Sequence, residues 1–134
     1  MILPTKKAIE TTSAPSPVGP YSQAVLTNGW LFCSGQIALN PSTGLMVGDG
    51  NIEKETYQVL KNLQAVLSSA QAKPSDVVKT TIYLKDLSDF TKVNEIYSEV
   101  FENVISPARA CVEVAGLPKG ALVEIDCIAL INPA

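Results

Sequence analysis

The 134-residue chain contains no histidine, the side chain that most often transfers protons or binds metal ions at neutral pH. Its cysteines, Cys33, Cys111 and Cys127, are odd in number and lack the short spacings of metal or redox motifs. A glycine-rich phosphate loop is also absent. The sequence therefore predicts no metal site, no cofactor, and reduced thiols of the kind found in a cytoplasmic protein.

Charge is scarce as well. Charged residues make up 17% of the chain against 46% hydrophobic residues, and the net charge is −3. Without a basic block to displace counterions, a nucleic-acid partner is disfavoured. No apolar run reaches membrane length, and the start "MILPTKKAIE" lacks the pattern of a signal peptide. These features predict a soluble protein that covers part of its surface with other subunits.

Arginine occurs once, as Arg109 in the stretch "SPARACVEV" (106–114), while lysine supplies every other positive side chain. A surface charge is interchangeable with lysine, but a planar guanidinium binds a carboxylate through two parallel hydrogen bonds that an ammonium group cannot copy. The single arginine is therefore a candidate for binding a small anion.

Hydrophobic periodicity predicts the element order β-β-β-α-β-α-β-β. Helices are predicted at 52–72, with Asn51 as its N-cap, and at 88–103. Strands are predicted at 6–12, on both sides of the hairpin signal Asn28-Gly29, at 76–84, at 108–114 and at 121–131. Loops are predicted at 13–22 and 40–50. This order indicates one α+β domain over residues 1–134, a single sheet with two helices on one face.

Alternation along the last two strands divides their side chains between two faces. Ala110 and Val112 are assigned to the core, which turns Arg109 and Cys111 outward. In the last strand, Glu124 points away from the apolar positions. Because only "AGLPKG" joins these strands, we predict that they are neighbours and that Arg109 and Glu124 share one concave edge. Two interpretations stay open: a surface ion pair of little energetic value, or a site that binds a carboxylate and positions a water.

Other polar positions are candidates for a pocket. Ser34 and Gly35 mark either a strand bulge or a place where a ligand approaches the backbone. Tyr21 either anchors its proline-rich loop or offers a hydroxyl at a pocket mouth. Asn94 is interpreted as a polar residue on a helix face. Cys111 has no histidine to activate it, so we interpret it as a small residue near a pocket and not as a nucleophile.

Four segments together resemble the archetypal Rid family of reactive-intermediate (imine) deaminases. They are "GPYSQAV" (19–25), "CSGQIALNPSTG" (33–44), "VNEIYSEVF" (93–101) and "PARACVEVAGLPKGALVEID" (107–126). The resemblance covers nearly the whole chain. It implies a chorismate-mutase-like fold, with a mixed sheet, that assembles as a homotrimer around a central barrel and binds a small 2-imino or 2-keto acid in clefts between subunits.

The resemblance also implies an activity: cofactor-independent hydrolysis of 2-imino acids and enamines such as 2-aminoacrylate to 2-keto acids and ammonium, which prevents metabolite damage. It assigns Arg109 to the carboxylate and Glu124 to the water. It places in the pocket lining Tyr21, Ser34, Gly35, Asn94 and Cys111.

The sequence departs from the family pattern at Ala110, where many members have serine, and in "ENVISPAR", which is shorter than in some relatives. Two alternative functions stay open. One is a regulatory trimer that binds small carboxylates without turnover. The other is an RNA-cleaving translation inhibitor, which the acidic composition and the missing histidine disfavour.

Overall fold

A computed structural model describes residues 5–131 and confirms the predicted α+β class and element order. The strands are β1 Lys7–Ile9, β2 Ala24–Thr27, β3 Trp30–Gln36, β4 Val77–Leu84, β5 Ala108–Glu113 and β6 Val123–Leu130. The helices are α1 Ile52–Ser69 and α2 Phe90–Phe101. Neither helix in this range is long and apolar enough to span a membrane. The first four residues of "MILPTKKAIE", interpreted above as lacking a signal peptide, lie outside the described residues.

The single six-stranded sheet has the order β1-β2-β3-β6-β4-β5. All neighbours are antiparallel except β4 and β5, so the sheet is mixed, as predicted. The predicted pairing of the last two strands is wrong, because β4 lies between them.

The connection between β5 and β6 passes around the end of β4 and is fastened there. Val114 N donates to Leu84 O (2.9 Å), and Lys85 N donates to Leu122 O (3.0 Å). The Lys85 Nζ also donates to Ala115 O (2.6 Å). The short β5–β6 connection therefore joins two strands that are separated by β4. The length of the connection alone did not reveal this separation.

Helix α1 begins where the sequence predicted and ends slightly earlier. The Asn51 side chain accepts a hydrogen bond from Lys54 N (2.9 Å), which confirms it as the N-cap. After Ser69 the chain turns through Gln71, whose φ is 62°, and Ala72 N donates to Leu67 O (2.9 Å). This left-handed turn stops the helix before residue 72.

The core lies between the two helices and one face of the sheet. Its largest fully buried apolar side chains are Leu31, Leu63, Leu67, Ile82, Leu84 and Ile125. They combine the inner positions of the central strands with the inner stripe of α1. Burial of this apolar surface is the main favourable contribution to folding.

No element within residues 5–131 covers the opposite, open face of the sheet, and this face carries apolar side chains. Phe32 is 46% exposed and Val112 43% exposed, and Trp30 and Leu130 are similar. The assignment of Ala110 and Val112 to the core is therefore wrong, since both are exposed. Alternation along β5 separates two faces but does not say which one the helices cover.

We predict that copies of the chain associate through this open face, because exposed apolar patches usually mark interfaces. Phe32→Lys should shift the protein to smaller species in sedimentation at micromolar concentration, since it places a charge on that face. Tyr57→Lys is the matched control, because Tyr57 is 53% exposed on α1. A wild-type protein with the mass of one chain, or an unchanged Phe32→Lys variant, contradicts this prediction. The homotrimer itself stays a prediction.

Candidate functional site

Arg109 and Glu124 lie on opposite faces of the sheet. Arg109 in β5 is paired with Thr80 in β4, which is buried on the helix-covered face. Glu124 in β6 is paired with Tyr83, three residues further along β4. Because side chains alternate, Thr80 and Tyr83 point to opposite faces. The predicted concave edge shared by Arg109 and Glu124 within one chain is therefore wrong.

The Arg109 side chain rests on one stripe of α2. Its Nη1 donates to Asn94 Oδ1 (2.7 Å). Its guanidinium carbon lies 5.0 Å from the centroid of the Tyr97 ring and 5.4 Å from that of the Phe90 ring. Positions 90, 94 and 97 follow one another at helical spacing, so one helix face supplies all three contacts. Cation–π attraction and a hydrogen bond thus fix the guanidinium.

A cleft of about 440 Å³ adjoins this group and is called here the arginine cleft. It is lined by Asn94, Tyr97, Ser98, Phe101, Glu102, Ser106, Pro107 and Arg109. A guanidinium has five N–H donors, and Asn94 takes one of them, so donors remain for a ligand in the cleft. The predicted site residues Arg109 and Asn94 are therefore brought together.

Cys111 lies near Arg109 but is not part of the cleft lining. It is half-buried and packs against the core from the same face of β5. Burial raises the pKa of the Cys111 thiol, and the nearby Arg109 charge lowers it by a smaller amount. A thiol with a raised pKa is a poor nucleophile at neutral pH, in keeping with the interpretation that Cys111 is not a nucleophile. Its place in the lining of a shared pocket stays a prediction.

The other predicted site residues meet in a second cleft, of about 350 Å³, called here the glutamate cleft. Tyr21, Ser34, Gly35 and Glu124 all line it. Its further lining residues are Pro15, Ser16, Val18, Gln23, Gln36, Ile37, Leu39 and Pro118. The two clefts share no lining residue. Six of the seven predicted site residues thus separate into two groups within one chain, and Cys111 lines neither cleft.

Tyr21 and Ser34 hold the wall of the glutamate cleft in place. The Tyr21 hydroxyl accepts a hydrogen bond from Val18 N (3.3 Å), so this residue both anchors its loop and lines the cleft. The Ser34 hydroxyl donates to Ser22 O (2.6 Å). Both interpretations of Tyr21 are therefore compatible with the structure.

Gly35 has no side chain, and the Glu124 carboxylate occupies the position where a side chain would begin. The pairing of β3 with β6 shifts between Cys33 and Gln36, so the predicted bulge is present. A Cβ atom added at Gly35 would lie 2.6 Å from Glu124 Oε2. The carboxylate therefore lies directly against the backbone of the bulge, in a place that only glycine leaves open.

The surroundings of Glu124 favour its protonated form more than water does. Burial raises the pKa of Glu124, and the negative charge of Asp126 on the same strand raises it further. Tyr83, directly across from Glu124, donates its hydroxyl to Asp126 Oδ2 (3.0 Å). A carboxyl group whose pKa is raised toward neutrality is suited to proton transfer.

Sequence analysis missed Gln23, which organises the proline-rich loop beside the glutamate cleft. Gln23 is buried, and its Nε2 donates to Thr11 O (3.0 Å) and Pro15 O (2.8 Å). Its Oε1 accepts from Thr11 N (2.7 Å). Its position at the start of an apolar strand was the available signal, since a buried amide there needs backbone partners.

No group of three or more His, Cys, Asp or Glu side chains within residues 5–131 is arranged to hold a metal ion. The three cysteines are free. The polar side chains that line the two clefts carry one guanidinium, carboxyl groups, amides and hydroxyls.

We predict that Gly35→Ala displaces the Glu124 carboxylate. The added Cβ would also lie 2.8 Å from Glu124 Cδ, and an overpacked site of this kind typically loses about 1–3 kcal/mol of unfolding free energy. Gly116→Ala is the control, since a Cβ there meets nothing within 4 Å. Thermal unfolding and a crystal structure of each variant measure the two effects. An unmoved Glu124 with unchanged stability would disprove the close contact.

The chain is similar to known proteins over nearly its whole length. The family model described as Endoribonuclease L-PSP matches residues 11–131. A RutC family protein from Synechocystis is 55% identical over 95% of this chain and 98% of its own length. A protein from Mus musculus named 2-iminobutanoate/2-iminopropanoate deaminase is 48% identical over 96% of this chain and 93% of its own. A crystal structure of a Rid-family protein from Yersinia pestis, 52% identical, has a TM-score of 0.92 and covers 95% of this chain and 100% of its own. The chain therefore belongs to the Endoribonuclease L-PSP family, and its resemblance to the Rid proteins is confirmed.

Proposed function

We propose that the protein hydrolyses small 2-imino acids to 2-keto acids and ammonium, in a site formed by the arginine cleft of one copy and the glutamate cleft of another. One observation carries the proposal. Arg109 and Glu124 each line an open cleft, yet they lie on opposite faces of one sheet. Two copies in a homotrimer bring such groups together. The name of the mouse relative supports the choice of substrate.

Arg109 binds the substrate carboxylate in this proposal. The substrate is a small anion with few recognisable groups, so a bidentate guanidinium supplies both affinity and orientation. Each charge-assisted hydrogen bond contributes about 1.5–3 kcal/mol. The contacts from α2 fix the guanidinium before the ligand arrives, so little further ordering is needed on binding.

Glu124 takes the proton from the attacking water. The water oxygen adds to C2 of the protonated imine, and Glu124 accepts the proton that this water releases. Glu124 then gives this proton to the nitrogen, and the C–N bond breaks with its electron pair leaving on ammonia. Glu124 takes the hydroxyl proton as the carbonyl forms, and ammonia accepts that proton to become ammonium. An enamine substrate first accepts a proton at carbon to become the imine. Water and imine thus give keto acid and ammonium, with no electrons gained or lost.

Tyr21, Ser34 and Gly35 complete the glutamate side of the proposed site. Gly35 lets the Glu124 carboxylate lie against the backbone, while Ser34 and Tyr21 hold the loop that borders the cleft. The barrier left to the protein is small, because imines already hydrolyse in water. Orientation and one proton-transfer group are therefore sufficient. We place this reaction in the cytoplasm, where it removes reactive enamines before they damage other molecules.

We predict that Arg109→Lys and Glu124→Gln lose different properties. Arg109→Lys keeps the positive charge but loses the planar guanidinium that donates two parallel hydrogen bonds. Affinity for the non-reactive product 2-oxobutanoate should therefore fall roughly tenfold to several-hundredfold, because one or two charge-assisted contacts are lost. Glu124→Gln keeps its shape but cannot accept a proton, so it should still bind 2-oxobutanoate while turnover falls. Calorimetric titration measures binding. Keto-acid release from 2-aminoacrylate, generated in situ by a serine/threonine dehydratase, measures turnover.

Glu53→Gln is the matched control for that pair, because Glu53 is exposed in α1 and lines neither cleft. It should bind and turn over like the wild type. An Arg109→Lys variant that behaves like the wild type would make Arg109 an ordinary surface charge. Ligand binding by the wild type without any turnover would favour the regulatory alternative over the enzyme.

We further predict that mixing subunits of the Arg109→Lys and Glu124→Gln variants restores part of the wild-type activity. In an equal mixture, about one site in four pairs an intact Arg109 from a Glu124→Gln chain with an intact Glu124 from an Arg109→Lys chain. Subunits are exchanged under mild denaturation and refolding, and turnover is then measured. Each variant treated alone should keep its own reduced turnover. Mixed oligomers that form, as shown by mass spectrometry, yet turn over no faster than the separate variants would contradict a site shared between copies.

A further inference from the structure

We propose that Thr80 and Tyr97 act together as a positioning pair for Arg109, because the hydrogen bond between their hydroxyls fixes the ring on which the guanidinium rests. This inference depends on the proposed function, in which Arg109 binds the substrate carboxylate. Tyr97 borders the arginine cleft, but in this proposal neither hydroxyl forms a hydrogen bond with the substrate. Each acts through the arginine.

The pair lies directly beneath the arginine. Thr80 in β4 is the cross-strand partner of Arg109 in β5, so the two side chains leave the sheet side by side on the helix-covered face. Tyr97 reaches down from α2, and its hydroxyl lies 2.7 Å from Thr80 Oγ1. Thr80 is fully buried and Tyr97 is only 6% exposed. One buried hydrogen bond therefore links Thr80, which is paired with Arg109 in the sheet, to Tyr97, whose ring lies against the guanidinium.

The Tyr97 ring is held at both ends. Its hydroxyl is fixed by Thr80, and its ring packs on Phe101 with centroids 4.6 Å apart and an interplanar angle of 36°. The guanidinium carbon of Arg109 lies 5.0 Å from the ring centroid. A ring fixed in this way cannot tilt without breaking the hydrogen bond or the ring contact. The guanidinium therefore keeps one orientation toward the cleft.

Stability alone does not explain two hydroxyls at this depth. A phenylalanine and a valine would fill almost the same volume and would need no hydrogen-bond partners. Burial raises the pKa of Tyr97, and the nearby Arg109 charge lowers it by a smaller amount, so Tyr97 is a neutral phenol at neutral pH. Compared with an apolar pair, the two hydroxyls additionally fix the orientation of the Tyr97 ring. A fixed ring orients the Arg109 guanidinium, as binding a carboxylate requires.

The inference makes a prediction about binding. Tyr97→Phe and Thr80→Val should each raise the Kd for 2-oxobutanoate about three- to tenfold, because the ring loses one of its two fixed ends. The double variant should bind no more weakly than the weaker single variant, since both changes remove the same hydrogen bond. Thr80→Ser keeps the hydroxyl and should restore wild-type affinity. KM should rise more than kcat falls, because the proton-transfer group is unchanged.

Thr56→Val is the matched control for a purely structural effect. Thr56 is also fully buried, and its hydroxyl donates to Ile52 O (2.7 Å) within α1, outside both clefts. It should lower the unfolding midpoint without changing the Kd. If Thr80→Val and Tyr97→Phe behave in the same way, lowering only the midpoint, the pair is structural and the inference is wrong. If Thr80→Val does not fold, the Kd of the Tyr97→Phe variant for 2-oxobutanoate tests the positioning role alone, because this variant keeps the ring.

Arg109→Ala in the same titration separates the two proposals. If Arg109→Ala binds 2-oxobutanoate like the wild type, the proposed function fails, and the positioning role fails with it. If Arg109→Ala abolishes binding while Tyr97→Phe and Thr80→Val bind like the wild type, only the positioning role is overturned. If Arg109→Ala, Tyr97→Phe and Thr80→Val all weaken binding, with rescue by Thr80→Ser, both proposals are supported.

Discussion

The position of β4 between β5 and β6 is the constraint on which the site depends. It separates the strand that carries Arg109 from the strand that carries Glu124, and its register turns the two side chains to opposite faces. Both strands need β4, because it is the hydrogen-bonded neighbour of each. One chain therefore builds two incomplete clefts, and the chemistry we propose requires a second chain.

Each face of the sheet supports its own cleft in a different way. On the covered face, α2 holds the guanidinium with two rings and an amide, in contact with the core. On the open face, the carboxylate of Glu124 lies against a bulge, next to the like charge of Asp126. The first arrangement fixes the orientation of a permanent charge. The second raises the pKa of the Glu124 carboxyl, which changes its charge in the reaction that we propose.

The sequence predicted the elements well and their arrangement less well. The apolar stripe and the Asn51 cap located α1, and the alternation in β6 correctly turned Glu124 away from the core. The resemblance named some of the residues that line each cleft, Arg109 and Asn94 in one and Tyr21, Ser34, Gly35 and Glu124 in the other. The distribution of those residues over two faces could not be predicted, because the phase of β5 does not say which side the helices cover. Phe90 and Tyr97 resembled ordinary core residues, since their apolar stripe also packs inward.

The connection that passes around the end of β4 carries a further consequence for how this chain can change over time. Surface loops usually accept added or deleted residues at small cost. This one is held at both ends by β4, it contributes Pro118 to the glutamate cleft, and it follows directly from the strand that carries Arg109. Lengthening or shortening it would disturb both clefts together. It is therefore a segment whose length should be restricted even where its individual residues are free to vary.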